Sequence, residues 1–271
     1  MRMNRLVMSA AALALSVPCL AGAAIVTPTS PSNTNGSDVF LVVTNQTTYA
    51  SEVIDLGISA QSLLSASTFE NPAGYTTQWT LDPNLFTNLG AGTLTFQLYA
   101  GQANSGFSGN YLFSTSDAGN SLALLTQAGN ISTANNSAGT YLSNYSGNFS
   151  STSSYLTYFT SSATNSWVTN ANATTAPGIT LGLAGVNASG TPGSSALVMY
   201  EVTSNGTRSS STTTQTAIGN GTNAGTWSLS ANTLTYTLAA VPLPASAWLL
   251  ISGLLGLGFV SRRRVTSNRL A

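Results

Sequence analysis

A chain of 271 residues is long enough for one domain with a sizeable core or two small ones. Only 5% of its residues are charged, against roughly 25% in a typical soluble domain, so its surface must be wetted by the hydroxyls and amides of abundant Ser, Thr and Asn. Lys and His are absent; Arg2 and Arg5 lie at one end, Arg262, Arg263, Arg264 and Arg269 at the other, and all seven acids share the stretch between with Arg208. A body so poor in cations cannot neutralise a run of phosphates, which excludes nucleic acid as a partner.

The N-terminus reads as an export signal. Arg2 and Arg5 precede an apolar run from Leu6 to Leu20, and Ala21, Gly22 and Ala23 supply the small-x-small pattern of a cleavage site. Residues 1–23 are therefore expected to be a signal peptide, with Ala21 and Ala23 marking the cut and the mature chain starting near Ala24. Cleavage also removes Cys19, the one cysteine. Lipid attachment there is disfavoured by Pro18 directly before it. The mature chain then holds no thiol for a disulfide, a nucleophile or a metal.

Residues 24–240 form the body, and period-two patterns dominate it. Val39, Leu41 and Val43 alternate with residues of the other face, as do Ile54, Leu56 and Ile58, then Leu94, Phe96 and Leu98, then Leu197, Met199 and Glu201. Trp227 and Leu229 are separated from Leu234, Tyr236 and Leu238 by Ser230, Ala231 and Asn232, which predicts a hairpin. Half-buried strands broken by Gly, Asn and Ser turns predict a mainly β fold, an antiparallel sandwich or barrel with one or two short helices. Tyr141, Tyr145 and Phe149 share the spacing of one helix face, so a helix over the sheet is expected there, its aromatics serving as core in preference to a platform for sugar rings. The stretch from Arg208 to Asn223 is low in complexity and predicts a loop.

Little chemistry is visible in this body. There is no His for a triad, and among the scattered acids only Glu52 and Asp55 are close in sequence. On an alternating strand they point to opposite faces, so they make no acid/base couple, although carboxylates from distant parts of the chain can still meet in space. No catalytic residue, metal ligand or cofactor is assigned. Asn-x-Ser/Thr triplets at Asn45, Asn130, Asn148 and Asn187 fit glycosylation acceptors, and they arise by chance in a chain this rich in Asn, Ser and Thr.

The C-terminus is the most specific segment. Val241, Pro242, Leu243, Pro244 and Ala245 precede an apolar stretch over 246–260, which Arg262, Arg263 and Arg264 close, leaving a tail of residues 265–271. Alternating prolines hold the backbone extended and stop a helix from running back into the body. A helix from Leu243 to Val260 rises about 27 Å, just short of a hydrocarbon core of about 30 Å. Trp248 sits at the outer boundary, and the arginines place the tail on the cytoplasmic side and the body outside.

In its order of proline motif, short apolar helix and terminal arginines, the segment 241–264 resembles the PEP-CTERM sorting signal, in the variant reading Val-Pro-Leu-Pro-Ala. The resemblance implies export through the inner membrane of a Gram-negative bacterium that makes exopolysaccharide, followed by processing by an exosortase, a membrane transpeptidase-like enzyme. Val241 to Ala245 would then be the motif that enzyme reads, 246–260 the membrane segment and Arg262 to Arg264 the topology stop. The family's Glu between prolines is Leu243 here, which leaves the scissile bond open. A plain membrane anchor is the alternative for the tail. A Gram-positive sortase substrate fits worse, because Leu243 to Ala247 lacks the Thr-Gly pair. For the body, the resemblance favours a structural or adhesive role at the cell surface or in an exopolysaccharide matrix. The alternatives are a glycan-binding module using exposed Tyr and Trp, and a secreted polysaccharide hydrolase.

Overall fold

The computed structural model describes residues 25–29, 36–64, 76–102, 110–117, 127–152, 155–160, 191–220, 223–238 and Ser252. The chain divides into compact units Met1–Ala239 and Ala240–Ala271, and Ser252 is the one described residue of the second. The fold of the first unit is mainly β and antiparallel, as the alternation predicts.

In chain order come β1 (Asp38–Asn45), β2 (Ser51–Ser59), α1 (Ala60–Leu64), β3 (Thr76–Thr80), α2 (Leu85–Leu89), β4 (Leu94–Gln102) and β5 (Tyr111–Asp117). Then follow α3 (Ala128–Tyr145), a 3-10 turn (Ser146–Asn148), β6 (Ser150–Thr152), β7 (Tyr155–Thr160), β8 (Ala196–Ser204), β9 (Thr213–Ala217), β10 (Gly219–Asn220), β11 (Asn223–Ser230) and β12 (Thr233–Leu238). They form one sheet in the order β3, β12, β11, β8, β5, β4, β1, β2, β7, β6. One flank of β8 is shared: Ala196 to Val198 pair with β11, and Tyr200 to Ser204 pair with β9. The sheet is a curled, open half-barrel, where the strand pattern predicts a sandwich or barrel.

The curl explains the inner core. Val39, Leu41 and Val43 of β1 fall in one cluster with Trp79, Trp227, Leu234 and Tyr236 from strands several places away in the sheet. Trp79 stacks on Trp227 with ring centroids 5.3 Å apart, and Trp227 meets its cross-strand partner Tyr236 at 4.9 Å. Leu85 and Leu89 of α2 enter the same cluster. Asn45 at the end of β1 fastens α2: its Nδ2 donates to the carbonyls of Leu89 at 2.9 Å and Ala91 at 3.2 Å.

The opposite face is divided. Over β1, β2, β4 and β5 it is apolar and covered by α3, whose Ile131, Ala134, Ala138, Tyr141 and Leu142 meet Phe40, Val42, Val53, Tyr99 and Leu112. That spacing is helical, but the helix is rich in Gly, Asn, Ser and Thr, so packing sustains it more than propensity does. A buried latch adds specificity: Asn135 Nδ2 donates to the carbonyls of Gln102 and Tyr111, both at 2.9 Å, and Asn135 Oδ1 accepts from the Tyr99 hydroxyl at 2.6 Å. On β12 the outward residues are Thr233, Thr235 and Thr237, all partly exposed, alternating with buried Leu234, Tyr236 and Leu238.

Two local expectations are corrected. Residues 208–223 are not simply a loop, for β9 and β10 lie within them. The sequence Thr-Thr-Gln-Thr-Ala offers no apolar alternation, and it becomes a strand because β8 has a free flank to extend. Phe149 is not on the helix face of Tyr141 and Tyr145, since α3 ends at Tyr145 and the 3-10 turn delivers Phe149 in extended conformation. Its ring still joins theirs: Tyr158 stacks on Tyr145 at 5.0 Å and meets Phe149 at 5.7 Å. The hairpin of β11 and β12 forms as expected, with Ala231 in the left-handed region at φ 47°.

Candidate functional site

The chemistry-bearing groups in the described residues are carboxylates. Asp38 and Asp55 lie on the outer face of neighbouring strands, where Phe40 is opposite Asp55 and Asp38 opposite Ser59. This register gives β2 the extra residues of a bulge, turned by Gly57 at φ 67°. The Gly57 N–H donates to Asp55 Oδ1 at 2.8 Å. The Val26 N–H donates to Asp38 Oδ2 at 2.7 Å, and the Asp38 N–H returns a bond to the Val26 carbonyl at 3.0 Å. Burial, reinforced by the charge of Asp55, pushes Asp38 up to about 7, against the pull of the Val26 N–H. Burial likewise pushes Asp55 up to about 6, with the Gly57 N–H opposing.

Glu52 points the other way, as the alternation of β2 requires. It is opposite Val43, whose side chain belongs to the inner core. Only 2% of Glu52 is exposed, and its Oε2 has no hydrogen-bond partner. Burial first, and then the charge of Asp82, push Glu52 up to about 7. Asp82 precedes α2, where its Oδ1 accepts from the Asn84 N–H at 2.7 Å. Glu52 and Asp55 thus make no couple, while each gains an acidic neighbour remote in sequence. No spacing in the sequence signals the Asp38–Asp55 pair, because the register of the bulge brings the two together.

Phe86, Gly92, Thr93, Leu94, Thr191, Pro192, Gly193 and Ala231 line an open depression of about 520 Å³. None of the acids among the described residues lines it. Among the described residues no three His, Cys, Asp or Glu side chains come together as a metal site. Trp79 and Trp227 are core residues, and the large hydrophobics exposed among the described residues are Tyr49 and Phe159.

The sequence-predicted sorting residues, Val241 to Ala245 and Arg262 to Arg264, lie outside the described residues, as do Ala21 and Ala23 of the cleavage site. No described helix is long and apolar enough to cross a membrane, and the stretch 246–260 is described only at Ser252. No protein-family model, characterised protein or solved structure matches the chain.

Proposed function

We propose that this chain is an exported protein of the cell surface or extracellular matrix, sorted by an exosortase and structural or adhesive in an exopolysaccharide setting. The observation that carries the reading is the order of parts in 241–264: an extended proline motif, an apolar stretch and three arginines. A marginal span held by a positive stop presents Val241 to Ala245 at the outer membrane boundary, within reach of a membrane-embedded enzyme. The compact unit ends at Ala239, two residues before Val241, which supports a motif placed directly after a folded body. A basic, then apolar, then small-residue N-terminus supports export. In this reading the body is not an enzyme and takes no cofactor.

The test is mass spectrometry of the exported protein. Processing removes the apolar tail and its arginines, and replacing Pro242 and Pro244 by Ala leaves the full-length chain in the membrane fraction. A wild-type chain still ending at Ala271 refutes processing and leaves a plain anchor.

One observation favours the hydrolase alternative: Glu52, raised to about 7, could serve as a general acid beside Asp82. Against it, Glu52 is 2% exposed and absent from the lining of the open depression, so that depression gives a polysaccharide no access to it.

A further inference from the structure

The open depression is built by four stretches of chain remote from one another in sequence: α2, the turn before β4, residues 191–193 and the β11–β12 hairpin. Each is tied down. Asn45 Nδ2 donates to the carbonyls of Leu89 and Ala91, and the Gln46 N–H donates to the Thr93 carbonyl at 2.8 Å, so the turn before β4 is fastened to the end of β1. Gly92 lies so close to Asn45 that a Cβ there would collide with its side chain. The Gly193 N–H donates to the Leu229 carbonyl at 2.6 Å, and the Thr191 N–H to Ser195 Oγ at 2.9 Å. At the hairpin the Leu81 N–H donates to the Asn232 carbonyl at 2.7 Å, and Asn232 Nδ2 donates to the Leu81 carbonyl at 3.2 Å. A lining anchored in this way is formed before any ligand arrives, so little affinity is lost to ordering it.

The chemistry of the lining narrows what it can hold. Phe86 and Leu94 are half-buried, packing against the inner core while also lining the depression, and the Pro192 ring adds a third apolar surface. Thr93 and Thr191 are exposed, and their hydroxyls take no hydrogen bond from another described residue. Gly193, at φ 80°, has open space where a Cβ would stand, so no side chain crowds the approach. The volume of about 520 Å³ falls among those of small-molecule sites. None of the described lining residues is charged, and within 24–240 all seven acids stand against one base, Arg208. An anionic ligand therefore meets no cation here and a repulsive field around it. An acyl chain in so open a site stays largely wet and forfeits the burial that would bind it. A neutral sugar ring needs one apolar face covered and its hydroxyls satisfied, and an open mouth lets the rest of a glycan chain run out on either side.

We propose that this depression binds a ring of a neutral polysaccharide, with Phe86 and Pro192 covering the apolar face of the sugar and the Thr93 and Thr191 hydroxyls bonding its rim. The ring platform is then a half-buried Phe and a Pro on turns, and not the exposed Tyr and Trp that composition suggests. The site deepens the adhesive reading and rests on the exopolysaccharide setting proposed above. Asn45 serves it as a positioning residue, holding the turn that carries Thr93.

The test titrates cellohexaose, mannohexaose and isomaltohexaose, and the acidic hexagalacturonate, into the isotope-labelled exported protein and follows its backbone amides by NMR. At least one neutral sugar is expected to shift the amides of Gly92, Thr93 and Gly193, and hexagalacturonate to bind at least about tenfold more weakly. Phe86→Ala should weaken the neutral sugar by about tenfold or more, while Phe86→Tyr, which keeps the ring, stays within about threefold. If Phe86→Ala does not fold, the shift map of the wild type and the comparison with hexagalacturonate decide. No shift with any of the neutral sugars at about 10 mM overturns the site, as do shifts confined to other amides or equal binding of the acidic sugar. Sorting is read separately, from the mass of the mature chain. A chain still ending at Ala271 that binds the sugar refutes sorting alone, and a processed chain that binds none refutes the glycan site alone.

Discussion

Replacing Glu52 by Gln should remove a large part of the pH dependence of stability. Glu52 is 2% exposed, its Oε2 has no hydrogen-bond partner, and burial together with Asp82 raises it from 4.5 to about 7. A carboxyl whose folded value lies above its unfolded value binds its proton more tightly in the native state. Its contribution is complete below about pH 4.5 and is lost as pH rises towards 7. At about 1.4 kcal/mol per pH unit, that interval amounts to about 3 kcal/mol. Gln resembles the protonated acid in shape and cannot ionise, so Glu52→Gln should match wild type near pH 4 and exceed it by about 3 kcal/mol at pH 8. Urea unfolding at half-unit steps from pH 4 to 8 measures this. Asp38 and Asp55 titrate in an overlapping range, so the informative quantity is the difference between the two proteins at each pH. Curves that stay parallel across the interval would refute the argument.

Two further substitutions probe the frame around the acids. Asn135→Leu removes the latch between α3 and the sheet and leaves the Gln102 and Tyr111 carbonyls short of a donor; a loss of about 2–4 kcal/mol in urea unfolding is expected. Gly57→Ala tests the bulge, for no atom lies within 4 Å of the added Cβ and the φ of 67° is the sole source of strain; about 1–2 kcal/mol should be lost by the same assay.

The strands were legible where one face is apolar and the other is not. Leu234, Tyr236 and Leu238 alternate with threonines, and β12 follows from them directly. β1 was legible from Val39, Leu41 and Val43, yet Phe40 and Val42 are buried too, because α3 covers the second face. That cover was hard to foresee, since α3 is built from weak helix formers and its apolar stripe relies on Ala134 and Ala138. β9 was illegible because pairing with β8 makes it a strand and no apolar alternation announces it. The acid pairs were illegible for a related reason. Asp38 meets Asp55 through the register of a bulge, and Glu52 meets Asp82 through the curl of the sheet; neither is encoded in sequence spacing.

The low charge of the body and the burial of Glu52 and Asp55 belong to one arrangement. A surface wetted by Ser, Thr and Asn offers few exposed ion pairs for salt to screen, and such pairs contribute little in any protein. The electrostatic free energy of this domain is therefore concentrated in carboxylates whose burial makes each count for far more than a surface charge. Glu52 lies inside the curl, and its ionisation acts on the inner core where α2 is fastened by Asn45. Asp38, with Asp55 beside it, is bonded to Val26, so their ionisation acts on the docking of residues 25–29. Proton uptake at these two places affects different parts of one sheet.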